Sequence, residues 1–303
     1  MKHSATTPID RPLAGIALRL IAVLMLGLMF AAAKLAEARG AHFVEILFWR
    51  QGLAMPIAFV TLMGGAGLAG LHTARPGAHV RRMMVGLTGM ACNFGAVMML
   101  PLAEASAFGF TVPIFATILS ALVLREPTGA HRWAAVAMGF LGVLIVLQPG
   151  GSHVAPAGAA VALTGAVLTA TVTILLRDLS RTERTPTIVF WFSATSLIPL
   201  GIMLPFVWSS HDAGTWALLL ATGIAGGLGQ LALTASLRLA PVATVMPMDY
   251  SALIWSTLLG LWLFGTLPSP WTWIGAPIII ASGLYIVWRE HRLRRAETPA
   301  AID

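Results

Sequence analysis

Gly86-Leu87-Thr88-Gly89-Met90-Ala91-Cys92-Asn93 returns 137 positions later as Gly223-Ile224-Ala225-Gly226-Gly227-Leu228-Gly229-Gln230, and an alanine stands ten residues beyond each terminal amide, at Ala103 and Ala240. Both copies lie inside long apolar stretches. Other landmarks recur at nearby offsets: Lys34 with Arg177, Phe48-Trp49 with Phe190-Trp191, and Trp133 with Trp273. The chain therefore reads as two related halves of about five segments each. An odd number of membrane crossings per half inserts the second half upside down, which is the inverted-repeat plan of secondary transporters.

Composition places the chain in a membrane. Of its 303 residues 57% are hydrophobic and only 10% charged, with a mean hydropathy of +0.83, whereas soluble domains carry roughly 25% charge. Ten apolar stretches lie near 13–33, 43–63, 83–102, 105–124, 131–148, 157–176, 187–208, 216–237, 241–264 and 271–288. Each can cross a hydrocarbon core of roughly 30 Å. The first has a polar leader containing Asp10 and two prolines, unlike a cleaved signal peptide, and reads as a retained helix.

Basic residues accumulate in cytoplasmic loops. With the N-terminus inside, fifteen of the nineteen Lys and Arg residues fall on the cytoplasmic side, Arg81 and Arg82 among them; Lys34 and Arg39 fall outside, while Arg19 and Arg50 lie within the first two stretches. Both termini are thus expected in the cytoplasm of a bacterial inner membrane. The same asymmetry accounts for the net charge of +7, so no nucleic-acid partner is implied. The single cysteine, Cys92, reads as packing, no histidine pair has helical metal-site spacing, and no phosphate-cradling Gly-x-x-x-x-Gly-Lys occurs. No metal, cofactor or ATP-driven step is expected.

The connections are short except for the stretch from Gly64 to Arg82, and the half boundary falls near Gln148 to Pro156. The expected fold is an all-α integral membrane protein with ten transmembrane helices, arranged as two inverted five-helix repeats around a central cavity. Residues 1–148 form the first repeat with its N-terminal tail. Residues 149–303 form the second, with a basic tail from Arg289 to Arg295 placed to follow the anionic leaflet.

Charges within the membrane are the sharpest candidates for a site, because each costs about 2.5 to 3.5 kcal/mol on insertion scales unless paired or hydrated. Arg50 is about seven residues from the outer end of its stretch and Asp249 about nine from the inner end of its own, roughly 10 to 14 Å from their respective surfaces at 1.5 Å per residue. One reading is a structural pair, Arg50 with Asp249 or with Glu104. In the other, Arg50 holds a substrate carboxylate or phosphate through its planar fork, and Asp249 holds a substrate ammonium or a coupling proton. Asn93 and Gln230 are either packing amides on small-residue stripes or donors and acceptors to a polar solute. Tyr250 can stack on an aromatic solute. Lys34, Glu104 and Arg177 suit a gate or vestibule, and orientation or interface roles equally well. Arg19 is expected to snorkel to the surface, and Glu45 to be interfacial.

Lys34, Phe48-Trp49-Arg50, Pro113, Leu124-Arg125-Glu126-Pro127 before Trp133, then Ala240-Pro241, Asp249-Tyr250 and Leu263-Phe264-Gly265 resemble, in order and spacing, the paired EamA-type repeats of the drug/metabolite transporter superfamily. The resemblance covers about residues 13 to 288. It implies a ten-helix basket with an alternating central cavity and with the fifth and tenth helices as scaffold. It also implies small-molecule substrates ranging from exported amino acids to imported S-adenosylmethionine or riboflavin. Thr266 stands where such repeats often carry a second acidic residue, so Glu126 has no symmetric partner.

The function expected is a secondary transporter, not an enzyme, that moves a small polar or amphipathic metabolite by alternating access. Its partners are that substrate and membrane lipids; proton coupling and a homodimer are left open. A membrane enzyme acting on a lipid-linked substrate, or a non-transporting scaffold, are the alternatives.

Overall fold

The computed structural model describes residues 12–64, 67–122, 129–147, 155–179, 182–183, 185–239 and 245–297. The elements are α1 (Pro12–Ala38), α2 (Phe43–Met63), a 3-10 turn (Gly67–Leu71), α3 (Pro76–Met99), α4 (Leu102–Gly109), α5 (Val112–Leu122), α6 (Ala130–Leu147), α7 (Pro156–Leu179), α8 (Thr185–Val207), α9 (Ala213–Leu239), a second 3-10 turn (Met246–Ser251), α10 (Ala252–Phe264) and α11 (Pro270–Glu297). Seven helical stretches among the described residues are long and apolar enough to cross a membrane on length and composition alone, and α6 adds a shorter one at Trp133–Leu147. Large apolar side chains such as Phe206 and Trp262 are exposed along these helices, as a lipid-facing surface requires.

Two crossings are broken. The fourth is α4 and α5, interrupted at Phe110-Thr111, where Pro113 removes a backbone donor near the start of α5. In the described part of the ninth, a 3-10 turn carrying Pro247, Asp249 and Tyr250 precedes α10. It closes at Gly265, whose φ of 63° lets the Gly265 and Thr266 amides bond back to Leu261 and Gly260.

Helix bounds depart most from the sequence reading at two places. The third crossing begins at Pro76 rather than near residue 83, since proline is favoured at a first helical position. The last runs 28 residues, to Glu297. At 1.5 Å per residue that is about 42 Å, more than the roughly 30 Å of hydrocarbon, so the basic tail is the continuing end of a helix. The expected half boundary, Arg125, Glu126 and Ala240-Pro241 lie outside the described residues.

Packing runs mainly between the halves. α1 lies along α9, α3 along α7, α2 along α8, α6 along α11, and α10 against α4. Exchanging the halves converts the first-with-eighth pairing into the sixth-with-third, and leaves second-with-seventh, fourth-with-ninth and fifth-with-tenth as they are. The repeat legible in the sequence is thus a repeat of contacts as well.

Small residues make these contacts close. A Cβ on Gly142 would stand 2.9 Å from the Gly275 carbonyl oxygen, and one on Gly275 would stand 2.6 Å from that of Gly142, so α6 and α11 meet main chain to main chain. On α9, a Cβ on Gly223 would lie 2.7 Å from the Trp49 carbonyl oxygen of α2. The stripe at Gly86 and Gly89 faces α8 and α7 in the same way, through Phe192 and Leu168.

Candidate functional site

Arg50 projects from α2 at the seam with α9. Its Nη1 donates to the Oε1 of Gln51, which is fully buried. A Cβ added to Gly226 would stand 3.7 Å from the Arg50 Cγ, so the arginine stem lies against the glycine face of α9. The Arg50 Nε is buried without a partner, and no ion pair to Arg50 occurs among the described residues. Arg50 is not brought to Asp249 or to Glu104; each of those carboxylates is engaged elsewhere.

Asp249 instead takes Arg19. The Arg19 Nε and Nη2 donate to the two carboxylate oxygens at 2.5 Å each, a planar two-bond clasp between α1 and the ninth crossing. Arg19 is only 6% exposed and does not snorkel to the surface; an opposing carboxylate removes the need to reach water. Asp249, with 37% of its side chain exposed, edges a cavity of about 180 Å³ that Phe110, Pro113, Tyr250 and Leu284 also line. The Tyr250 ring packs on Phe110 with centroids 5.1 Å apart, and its hydroxyl lies 2.5 Å from where a Gly283 Cβ would be. Tyr250 thus sits in the seam between the fourth and tenth crossings.

The two repeat amides are in different surroundings. Asn93 donates to the Thr169 hydroxyl at 3.2 Å, and its Oδ1 lies 2.5 Å from the position of a Gly165 Cβ, so it is fitted into the α3–α7 contact. Cys92 packs against the same Gly165. Gln230 stands at partial exposure on α9 beside Gly229, whose bare Cα faces the Ala22 carbonyl of α1.

Lys34, about a turn before the end of α1, caps another helix: its Nζ donates to the Val97 and Leu100 carbonyl oxygens at 2.6 and 2.5 Å, at the C-terminus of α3. The charge opposes the negative end of the α3 dipole. The ammonium also lies 5.6 Å from the Phe264 ring centre and within electrostatic reach of Glu104. The Glu104 Oε1 accepts from the Ser269 amide at 2.9 Å, tying α4 to the connection before α11, and Oε2 is buried without a partner. Glu45 is buried rather than interfacial: it completes a capping box with His42 and lies 3.1 Å from the Nε2 of His211, across the halves. Arg177 is on α7, and its side chain lies outside the described residues.

Arg82 is the charged group that sequence reasoning missed. With the third crossing read from residue 83, it counted as a loop charge. In the structure it lies in the second turn of α3, its guanidinium 4.2 Å from the Phe192 ring centre and over Gly86, where a Cβ would be 2.0 Å from Nη1. Its Nε and Nη1 are buried without partners, and it is near enough to Arg50 for the two charges to act on each other. Pro76, a helix-start signal, was the clue.

The profile of the EamA-like transporter family matches residues 13–148 and 156–288. A riboflavin transporter of Rhizobium johnstonii is 31% identical over 255 residues, covering 84% of this chain and 83% of that protein. A pseudopaline exporter of Pseudomonas aeruginosa is 30% identical over 277 residues, covering 90% and 93%. A solved crystal structure superposes with a TM-score of 0.62 at 21% identity over 94% of this chain and 99% of its own, which shows the same fold. Two matched repeats, a helical membrane body and transporters rather than enzymes as relatives agree in one conclusion: the chain belongs to the EamA-like transporter family.

Proposed function

We propose that this protein is a secondary transporter that carries a small polar or amphipathic metabolite across a bacterial inner membrane, by alternating access of its two inverted five-helix halves, with both termini cytoplasmic. The observation that carries the reading is Arg50, at the joint between the halves, whose Nε is buried without a partner. An in-membrane charge kept without a protein counterion marks a substrate or ion path more often than a structural brace. Family membership and relatives named riboflavin transporter and pseudopaline exporter support a metabolite as cargo.

In this reading Arg50 contacts the substrate, Gln230 and Asn93 line the path on the symmetry-related helices, and Lys34, Glu104 and Arg177 guard its ends. Asp249 and Tyr250 act from the inner part of the ninth crossing. Protonation of Asp249 would release Arg19, which gives proton coupling a physical route.

The test is counterflow in proteoliposomes with radiolabelled amino acids, riboflavin, S-adenosylmethionine and nucleosides, with and without an imposed pH gradient. Saturable counterflow of one class, lost in Arg50→Ala, supports the reading; a response to the gradient adds coupling. Silence across the panel from folded protein favours a scaffold.

A further inference from the structure

Arg50 and Arg82 stand on consecutive helices of the first half, α2 and α3, and each touches a helix of the second half. Arg50 lies against Gly226 of α9, and Arg82 lies on Phe192 of α8. Each charge bears on the other. Three of their donors, Arg50 Nε, Arg82 Nε and Arg82 Nη1, are buried and bonded to nothing. Buried donors and like charges of this kind are not left unsatisfied without a reason.

Among the described residues, no carboxylate pairs with either guanidinium. Gln51 offers Arg50 a neutral acceptor. Phe192 offers Arg82 a ring face. The acidic groups at that end of α3 are committed: Asp178 to Arg75 at 2.7 Å, and Glu183 to the Thr73 hydroxyl at 2.7 Å with His79 at 4.0 Å. Gly86 matters as well, since a side chain there would occupy the place of the Arg82 guanidinium.

We infer that Arg50 and Arg82 together form a binding site for the anionic group of the transported substrate, a carboxylate or phosphate bridging the two guanidiniums. Such a group supplies acceptors to all three idle donors and removes the repulsion between the two charges. Arginine suits this task because its planar fork meets both oxygens of an oxyanion while its face rests on an aromatic ring. The substrate class narrows accordingly, from polar metabolites in general to metabolites bearing at least one negative charge. The inference rests on the transport reading above for the word substrate, but the anion site itself can be tested without transport.

Purified protein is titrated calorimetrically with inorganic phosphate and, separately, with benzoate, at constant ionic strength, with benzamide as the uncharged control. Saturable binding of phosphate or benzoate but not benzamide is expected, weakened at least tenfold in both Arg50→Gln and Arg82→Gln and unchanged in Arg81→Gln, the adjacent arginine that is 60% exposed and turned to Asp178. Which anion binds separates a phosphate site from a carboxylate site. The melting temperature of unliganded Arg82→Gln should equal or exceed that of the parent protein, because an unpaired buried charge has been removed. Should Arg82→Gln fold poorly, Arg82→Lys retains charge without the fork and should still lose severalfold affinity. No saturable anion binding by the parent protein, or equal binding by Arg81→Gln, Arg82→Gln and Arg82→Lys, overturns the inference. Anion binding intact with counterflow absent would instead overturn the transport reading and leave the site standing.

Discussion

Arg19 and Asp249, 230 residues apart in the chain, are clasped by two parallel hydrogen bonds of 2.5 Å that join the first crossing to the ninth. Asp249→Asn leaves Arg19 buried and unpaired. Breaking a fully buried pair costs roughly 3 to 5 kcal/mol; partial exposure of Asp249 screens it, so a loss of about 1 to 3 kcal/mol is expected. Arg19→Gln combined with Asp249→Asn should recover much of that loss. Thermal unfolding of the single and double variants in detergent measures the coupling, and additive losses would show that the clasp contributes little.

Gly142→Ala and Gly275→Ala should each destabilise the α6–α11 contact, because the new methyl meets a rigid carbonyl oxygen at 2.9 and 2.6 Å respectively. Overpacking of this kind costs about 1 to 3 kcal/mol. Gly77→Ala, at a position open on all sides within 4 Å, is the control and should melt with the parent protein. A Gly275→Ala melting curve superposable on that control would contradict the main-chain contact.

Lys34→Met removes the two bonds to Val97 and Leu100 and leaves the end of α3 uncapped. The expected loss is about 1 to 3 kcal/mol, the usual consequence of orphaning buried acceptors. Lys34→Arg should restore part of it. Unfolding midpoints of the three proteins test the cap, and hydrogen exchange at Val97 to Leu100 should rise in Lys34→Met alone.

Asp212, fully exposed between α8 and α9, caps α9. The Thr215 hydroxyl, then the Thr215 amide, with the Gly214 amide and the Arg39 charge adding, outweigh desolvation and hold its carboxyl below the ordinary aspartate value. A depressed folded-state value means that the stabilisation is present above the ordinary aspartate range. It is lost as pH falls through the lowered value. Melting temperature followed from neutral pH into acid should therefore fall more steeply for the parent protein than for Asp212→Asn; parallel profiles would remove the cap from the account.

Much of the fold was legible in the chain because membrane crossings are written in runs of apolar residues, and the repeated glycine stripes carry the pairing of halves. The site was less legible. Arg50 was found because a charge in an apolar run stands out, whereas Arg82 was hidden by a helix start placed seven residues late at residue 83 instead of Pro76. The partner of Asp249 was not legible: Arg50 is the pairing that depth along the helices suggests, whereas packing across the halves brings Arg19 to it. Tyr250 reads as a stacking platform in isolation, yet Phe110 and Gly283 already occupy its ring and hydroxyl. Spacing along a helix fixes which residues share a face; it does not say which neighbour that face meets.

The predominance of contacts between the halves has a consequence for biosynthesis. α1 and α3 find their principal neighbours, α9 and α7, only in the second repeat. When the first five crossings have left the ribosome, most of the surfaces they will finally bury have nothing to pack against, and they must wait in the bilayer as a loose set of helices. The repeat is thus a unit of duplication but not of folding. The native basket can close only after the later crossings have been inserted in the opposite sense.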